Sequence, residues 1–445
     1  MIGPSPKRVP LYGWLTAEAV SLLGTRISMI AIPWLVLVTT GSPTQTGLVA
    51  AAEITPMVLL KAAAGPVIDR VGPRRVAITV DLLSMVAVGM IPFLHVTGTL
   101  TFPLLLVLVA TAGGLRGPGD AATQAMIPSL VERAAVPYER ATGLASAIER
   151  GSTMLGAALA GGLVATVGAA QAVAVDAASF GVCALVLAAT TRGIGEPGGH
   201  GLDRLDQREQ LDQREQLDQR EQLDQRDQQA SYGARLREGW DFLRHDPVLM
   251  SLCVMVAVTN LLDLAWFSVM LPVWAHDSGA GVGAVALVLA VWGGASMVGS
   301  FVAAAYGTRL PRFTTYVVAF LITGLPRFLL FALGVPLWMV VVTCLIGGCA
   351  SGFLNPVLGA VQFERIPREL VGRVTSLSNA LGWSLMPLGG ILGGVLVSTM
   401  GLATALVITG LAYFATTMAP TVLPAFREMD RARVSDDRER VSAQA

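Results

Sequence analysis

The sequence predicts an all-α membrane protein of twelve transmembrane helices, arranged as two similar six-helix halves. Its composition excludes an ordinary soluble domain, because 53% of the residues are hydrophobic and 14% are charged, whereas soluble domains carry about 25% charged residues. Its apolar runs reach the roughly 20 residues that a helix needs to cross a bilayer. Inside the bilayer, segments of this length can satisfy their backbone hydrogen bonds only as helices.

The apolar runs place the twelve helices in order along the chain. We expect them at residues 11–39, 44–68, 75–96, 101–122, 139–165, 170–190, 248–273, 282–305, 314–333, 336–357, 375–398 and 401–424. The first run is too long for the core of a cleavable signal peptide, and it contains Glu18 and Arg26. We therefore expect this run to be kept as the first membrane helix.

The distribution of arginine predicts the orientation. Arginines occur in alternate loops, at 70–75, 133–140, 309–312 and 365–373. The loops between them contain no Lys or Arg, at 41–47, 95–100, 167–171, 274–281, 333–336 and 398–401. Because loops on the cytoplasmic side carry the positive charges, both termini are expected in the cytoplasm.

A polar segment divides the chain into an N-terminal half (1–190), a linker (191–247), a C-terminal half (248–424) and a tail (425–445). The linker repeats LDQREQ at 205–210, 211–216 and 217–222, followed by LDQRDQ at 223–228. A six-residue period matches neither the 3.5 nor the 3.6 period of a helical stripe. We therefore expect a solvated, partly helical linker on the cytoplasmic side.

The two halves resemble each other in sequence. Residues 140–168 align without gaps onto residues 373–401, and Gly156, Gly161 and Gly168 fall on glycines 389, 394 and 401. Halves repeated about an axis along the membrane normal are one of the architectures of secondary transporters. The alignment predicts that helices five and eleven hold equivalent places.

A charged motif follows the second helix: Gly65, Asp69, Arg70, Gly72, Arg74 and Arg75 lie in the order G-x-x-x-D-R-x-G-x-R-R. It resembles the signature of the major facilitator superfamily, in the loop where that family has it. The resemblance implies that the motif latches the two halves together on the cytoplasmic side in the outward-open state. The alternative is that its charges serve only to set the topology.

Two further segments resemble the efflux branch that includes macrolide and enterobactin exporters. They are GLRGPGDAATQ at 114–124 and VDAASF at 175–180. This resemblance implies a bacterial inner-membrane transporter that exports a drug-like or siderophore-like small molecule by proton antiport, through alternating access. An uptake permease of the same fold, or a membrane scaffold or sensor that binds a partner through the LDQREQ segment, are the alternatives.

Ionisable residues inside the membrane are candidate functional residues, because each costs roughly 2.5–3.5 kcal/mol at a helix centre. The candidates for proton coupling or a substrate cavity are Arg26, Glu53, Arg116, Asp120, Asn260, Asp263 and Phe267. Glu53 could carry protons or form a static pair with Arg26. Asn260, Asp263 and Phe267 share one helix face, which could line a cavity or pack against another helix. Asp176 and Arg327 are expected near the outer helix ends, where water can reach them.

The remaining chemistry of the sequence argues against an enzyme or a metalloprotein. The four cysteines, at 183, 253, 344 and 349, form no CxxC pair, and no His/Cys cluster predicts a metal site. No P-loop is present, and the formal net charge of +0 gives no reason to expect nucleic-acid binding. The expected partners are a small-molecule substrate, protons and membrane lipids, with no cofactor.

Overall fold

The computed structural model describes residues 8–192, 237–306, 310–367, 370–422 and 426, and every regular element in these residues is helical. The LDQREQ repeats, most of the predicted tail and Arg309 lie outside the described residues.

The N-terminal half begins with a long helix and alternates long spans with short connecting helices. Its elements are α1 (Val9–Thr40), α2 (Pro43–Ala63), α3 (Gly65–Val71), α4 (Pro73–Val96), α5 (Phe102–Ala125), α6 (Ile127–Ala134), α7 (Tyr138–Val167) and α8 (Ala169–Thr190). The turn from α1 to α2 follows from local chemistry. Gly41 adopts a left-handed φ of 63° after α1, and the Ser42 hydroxyl accepts a hydrogen bond from the backbone N–H of Gln45 at 3.3 Å, which caps α2.

The C-terminal half has more interrupted spans. Its elements are α9 (Pro247–Ala265), a π-helix (Trp266–Met270), α10 (Leu271–Asp277), α11 (Gly281–Tyr306), α12 (Arg312–Thr323), α13 (Leu325–Ala332), α14 (Leu337–Ser351), α15 (Leu354–Arg365), α16 (Val371–Ser384), α17 (Met386–Met400) and α18 (Leu402–Met418), followed by a 3₁₀ turn (Ala419–Val422). Several breaks coincide with proline, which has no N–H to continue the helical hydrogen bonds. Pro326 opens α13, and Pro387 opens α17.

Eleven stretches of the described residues are long and apolar enough to cross a membrane. The helix α7 is not among them, since Arg140, Glu149 and Arg150 reduce its apolar character. It is nevertheless 30 residues long and packs between α1 of its own half and α11 of the other half. With α7 as the fifth crossing, the predicted fold of twelve transmembrane helices is confirmed.

Some predicted boundaries were wrong. The second helix was expected to run to residue 68, but it ends at Ala63, and the chain turns into the separate helix α3. The predicted linker is helical at residues 237–245, but this end is not solvated throughout, because Leu243 is fully buried against α9 and α16. Glu238 also pairs with Arg373 of α16 at 2.8 Å. Phe426, in the predicted tail, is buried and packs on Tyr316 at 5.0 Å between ring centroids.

The duplicated glycines make equivalent contacts in the two halves. A Cβ at Gly161 of α7 would meet the Cβ of Ala286 in α11, and a Cβ at Gly394 of α17 would meet the backbone of α2 at Thr44. These are the two closest seams between the halves. Gly156 similarly lies against Arg26 of α1, and Gly389 lies against Leu264 of α9. The aligned segments 140–168 and 373–401 therefore hold matching positions, as their sequence similarity predicts.

The halves meet on one side of the bundle and separate on the other. We call the face with the arginine-bearing loops the arginine side. On the opposite side, α2 packs closely on α17, and Trp34 of α1 meets His276 of α10 with ring centroids 6.3 Å apart. In the part of the chain that the structure describes, α16, which continues α17 toward the arginine side, makes no comparable contact with the N-terminal half. The space between the halves is therefore closed on the opposite side and opens toward the arginine side.

Candidate functional site

A cavity of about 500 Å³ lies between the two halves, within the size range of small-molecule binding sites. The N-terminal half contributes its lining through Arg26, Met29, Ile30, Thr153 and Ala157. The C-terminal half contributes most of the wall, from α9, α11, α12, α14 and α15 in particular. The wall is largely apolar and aromatic, with a few charged and amide groups, which is the composition expected of a ligand pocket.

The predicted face of Asn260, Asp263 and Phe267 lies on this cavity. The Asn260 side-chain nitrogen donates a hydrogen bond to the Gly382 carbonyl at 2.9 Å, so its amide also ties α9 to α16. The α-helix changes into a π-helix at Trp266, three residues after Asp263. Such π-helical turns are frequent at functional sites.

Asp263 is paired with Arg327 of α13. The Asp263 side chain is 41% exposed, whereas the Arg327 side chain is 6% exposed, so the acid faces the cavity and the base lies behind it. Four aromatic rings surround the guanidinium carbon of Arg327: Trp266 at 5.2 Å, Trp292 at 5.2 Å, Phe328 at 4.6 Å and Tyr413 at 4.8 Å. Cation–π attraction to these rings stabilises the arginine in addition to its ion pair with Asp263.

The burial of Arg327 corrects the expectation that water reaches it at an outer helix end. Asp176 was also expected within reach of water at an outer helix end, and this was wrong. It is fully buried between α8 and α1, and the Ser179 hydroxyl donates to its carboxylate at 3.4 Å. One feature of the sequence indicates that Arg327 is buried. Arg327 follows a proline that breaks a membrane helix, and the backbone groups left without helical hydrogen bonds at such a break favour a position inside the protein. The sequence did not indicate that Trp292 and Tyr413 would line the site.

Arg26 reaches the cavity from α1, and none of the acidic side chains that the structure describes pairs with it. Its Nη1 lies 3.6 Å from the sulfur of Met29, and its Nε is buried with no hydrogen-bond acceptor among the described residues. Its side chain passes close to Gly156, where a Cβ would lie 2.5 Å from the Arg26 Cβ. Glycine at 156 therefore provides the space that Arg26 occupies.

The alternative that Glu53 pairs with Arg26 was wrong. Glu53 of α2 instead pairs with Arg116 of α5 at 2.9 Å, and both side chains are about 85% buried, with exposed fractions of 15% and 16%. Arg116 also donates to the hydroxyl of Thr25 in α1 at 3.2 Å. This network joins three helices of the N-terminal half, and neither Glu53 nor Arg116 belongs to the cavity lining.

Asp120 lies further along α5, toward the arginine side. It pairs with Lys61 at 3.3 Å, and the two side chains are 45% and 39% exposed, respectively. The pair joins α5 to the end of α2, and Asp120 is not part of the cavity lining.

The charged motif lies on the arginine side and contacts its own half. Gly72 has a φ of 91° between α3 and α4, a backbone conformation that glycine adopts without strain. Arg74 donates to the Ala188 carbonyl at 2.9 Å and to the Thr191 hydroxyl at 3.2 Å, which ties the start of α4 to the end of α8. Asp69, Arg70 and Arg75, like Gly65 at the start of α3, are exposed. In this conformation the charged side chains of the motif make no hydrogen bond to the described part of the C-terminal half.

The described residues contain no group of three or more His, Cys, Asp or Glu side chains that could hold a metal ion. The candidate site consists of the cavity, the Asp263–Arg327 ion pair in its wall and Arg26, which also lines it.

Comparison with known proteins agrees with this architecture. The chain matches the sequence profile of the Major Facilitator Superfamily over residues 14–390 and 254–442. The chain belongs to the major facilitator superfamily. Superfamily membership makes it a multi-pass membrane transporter of small molecules rather than an enzyme, and confirms the family predicted from the motif at 65–75.

Its curated relatives include proteins named multidrug efflux pump Tap. The protein from Mycobacterium tuberculosis is 30% identical over 442 residues, covering 98% of this chain and 99% of the relative. The protein of that name from Mycolicibacterium fortuitum is 27% identical over 434 residues, covering 96% and 98%.

Solved structures share the fold at low sequence identity. A bacterial homologue of the iron transporter ferroportin, in an inward-facing state, matches with a TM-score of 0.67 at 15% identity, over 92% of this chain and 98% of that one. The nucleoside transporter NupG matches with a TM-score of 0.65 at 13% identity, over 93% and 98%.

Proposed function

We propose that the protein is a secondary active exporter of drug-like small molecules, which works by alternating access and proton antiport. The observation that carries this proposal is the cavity between the halves, which is lined by Arg26 and Asp263, closed on one side and open on the other. The export direction is supported by the similarity to efflux pumps along nearly the whole chain.

The arginine side corresponds to the cytoplasm of a bacterium under the positive-inside rule. Both termini and the linker then lie in the cytoplasm, and the protein is in the inner membrane. In this orientation the conformation is inward-open, so a cytoplasmic substrate can enter the cavity. Export then requires the seams on the opposite side to separate while the arginine side closes.

Asp263 is the proposed proton carrier. It is exposed to the cavity, whereas the carboxylate of Glu53 is enclosed by Arg116 away from it. Protonation of Asp263 would end its ion pair, yet the four aromatic rings would still hold Arg327. The pair can therefore break while Arg327 keeps its contacts with the rings. A residue that binds and releases protons during transport needs this property, whereas a static structural pair does not need it.

The motif at 65–75 is the proposed latch of the other state. Asp69 and Arg70 are exposed in the inward-open conformation, so their charges are free to contact the C-terminal half when the arginine side closes. The charged pairs gained there would stabilise the outward-open state.

A transport assay of matched acid variants tests the coupling. Asp263→Asn should abolish uphill, proton-driven transport of a panel of anionic and uncharged aromatic dyes in proteoliposomes while downhill exchange continues, because the cavity persists but no proton is carried. Glu53→Gln, which removes an acid outside the cavity, serves as the control and should remain proton-coupled per folded molecule. Full uphill transport by Asp263→Asn would remove Asp263 from the coupling role.

A further inference from the structure

Arg26 is a cation in the wall of the cavity, and no acidic side chain among the described residues forms an ion pair with it. Three residues that carry a charge line the cavity: Arg26, Asp263 and Arg327. Asp263 and Arg327 neutralise each other as an ion pair. The cavity therefore keeps one positive charge in excess, and Arg26 carries it.

No group that the structure describes around Arg26 neutralises its positive charge. Its guanidinium makes one weak contact, to the Met29 sulfur at 3.6 Å, and its Nε is buried without an acceptor. Glu149, on the neighbouring helix α7, is exposed and makes no ion pair with Arg26 among the described residues. Charged groups within a membrane usually have a partner or a function, and an unsatisfied buried donor is costly. The missing partner is therefore expected to come from outside the chain.

The rest of the cavity indicates what else that partner contains. Phe267, Trp292 and Phe320 present aromatic surface to the same space, which suits a planar ring system. A guanidinium binds a carboxylate through two parallel N–H donors, a stronger arrangement than a neutral hydrogen bond.

We propose that Arg26 binds an anionic oxygen group of the substrate, a carboxylate or a similar oxyanion, while an aromatic ring system of the same molecule packs on the cavity wall. The inference rests on the proposed export function and adds a substrate class to it. A charge-assisted contact of this kind should favour an acid over its uncharged ester by about ten- to hundred-fold in affinity.

The test compares acids with their esters on the purified full-length chain in detergent. The probes are a panel of aromatic carboxylic acids of two to four rings and their methyl esters, with binding followed by quenching of tryptophan fluorescence, since Trp266 and Trp292 line the cavity. We expect members of the panel to bind at least ten-fold more tightly as acids than as esters. Arg26→Gln should remove this preference without weakening the esters, and Arg26→Lys should restore part of it.

Arg244→Gln is the matched control, because it removes the same charge from the extramembrane helix at 237–245, where Arg244 pairs with Asp241. It should keep the preference for acids. A panel without any such preference in the wild-type chain, or a preference that survives Arg26→Gln, would overturn the inference. A chain that binds the acids through Arg26 but exports none of them would overturn the proposed function and leave the anion site intact. A chain that exports small molecules without a preference for acids would overturn the anion site and leave the proposed function intact.

Discussion

The substitution Gly47→Ala should shift the protein away from the conformation described here. Gly47 of α2 lies at the seam between the halves on the side opposite the arginine-bearing loops. A Cβ at this position would lie 2.0 Å from the carbonyl oxygen of Gly390 and 2.8 Å from its carbonyl carbon. Both atoms are backbone, so no side chain can rotate to relieve the clash, and the helices α2 and α17 must move apart.

The size of the effect follows from this contact. Overpacking a close interface costs about 1–3 kcal/mol. The cost falls only on the conformation in which α2 touches α17, because in the outward-open conformation that we propose these helices separate. A free-energy difference of that size changes the ratio of the two conformations about 5- to 150-fold.

The assay is a distance measurement between spin labels on that side, at Thr97 after α4 and at Leu333 after α13, with the four native cysteines replaced. The expected result is a longer distance population in Gly47→Ala than in the unsubstituted background. Gly113→Ala is the control, since a Cβ there would lie 1.9 Å from the carbonyl oxygen of Glu53 within the N-terminal half. It should lower thermal stability without changing the distance distribution.

Two results would refute this reasoning. One is a distance distribution that Gly47→Ala leaves unchanged, although the variant folds. The other is an equal shift in Gly113→Ala, since that would show a general loosening rather than separation at one seam.

Three other substitutions test single contacts by the shift in thermal unfolding of the purified protein. Glu53→Gln should destabilise by about 3–5 kcal/mol, because it leaves the Arg116 charge buried without its partner, and adding Arg116→Gln should recover much of the loss; additive losses would contradict the pairing. Arg74→Gln should destabilise by about 1–3 kcal/mol through two lost hydrogen bonds at the end of α8, whereas the exposed Arg75→Gln should stay within about 0.5 kcal/mol; equal effects would argue against the tie. Tyr316→Phe should destabilise by about 1–3 kcal/mol, because its hydroxyl donates to the carbonyl of Thr417 at 2.7 Å in a buried site; an unchanged melting curve would show that the bond contributes nothing.

The sequence was sufficient to predict the membrane spans, because all of them except α7 are long apolar runs by composition. The duplication also carried spatial information, since aligned glycines in α7 and α17 prove to face equivalent neighbours. The motif at 65–75 identified the family because a specific order of charged and glycine residues, rather than average composition, carries that signal.

Pairing of charges could not be predicted to the same extent. Glu53, Arg26 and Arg116 lie on three helices, and the sequence does not state which faces of those helices meet. The Glu53–Arg116 pair depends on how α2 is rotated against α5, and the close approach of Gly113 to the backbone of Glu53 sets that rotation. The depth of Arg327 likewise depends on the break at Gly324 between α12 and α13, which a hydropathy pattern does not reveal.

Transport by inverted membrane vesicles tests whether the protein is a proton-coupled exporter. In these vesicles the cytoplasmic face points outward, so a proton-coupled exporter should accumulate members of the same panel of anionic and uncharged aromatic dyes inside when the interior is made acidic. We expect accumulation that stops on addition of an uncoupler and is absent from vesicles carrying Asp263→Asn. Accumulation in right-side-out vesicles instead, or uptake that persists without a proton gradient, would contradict it.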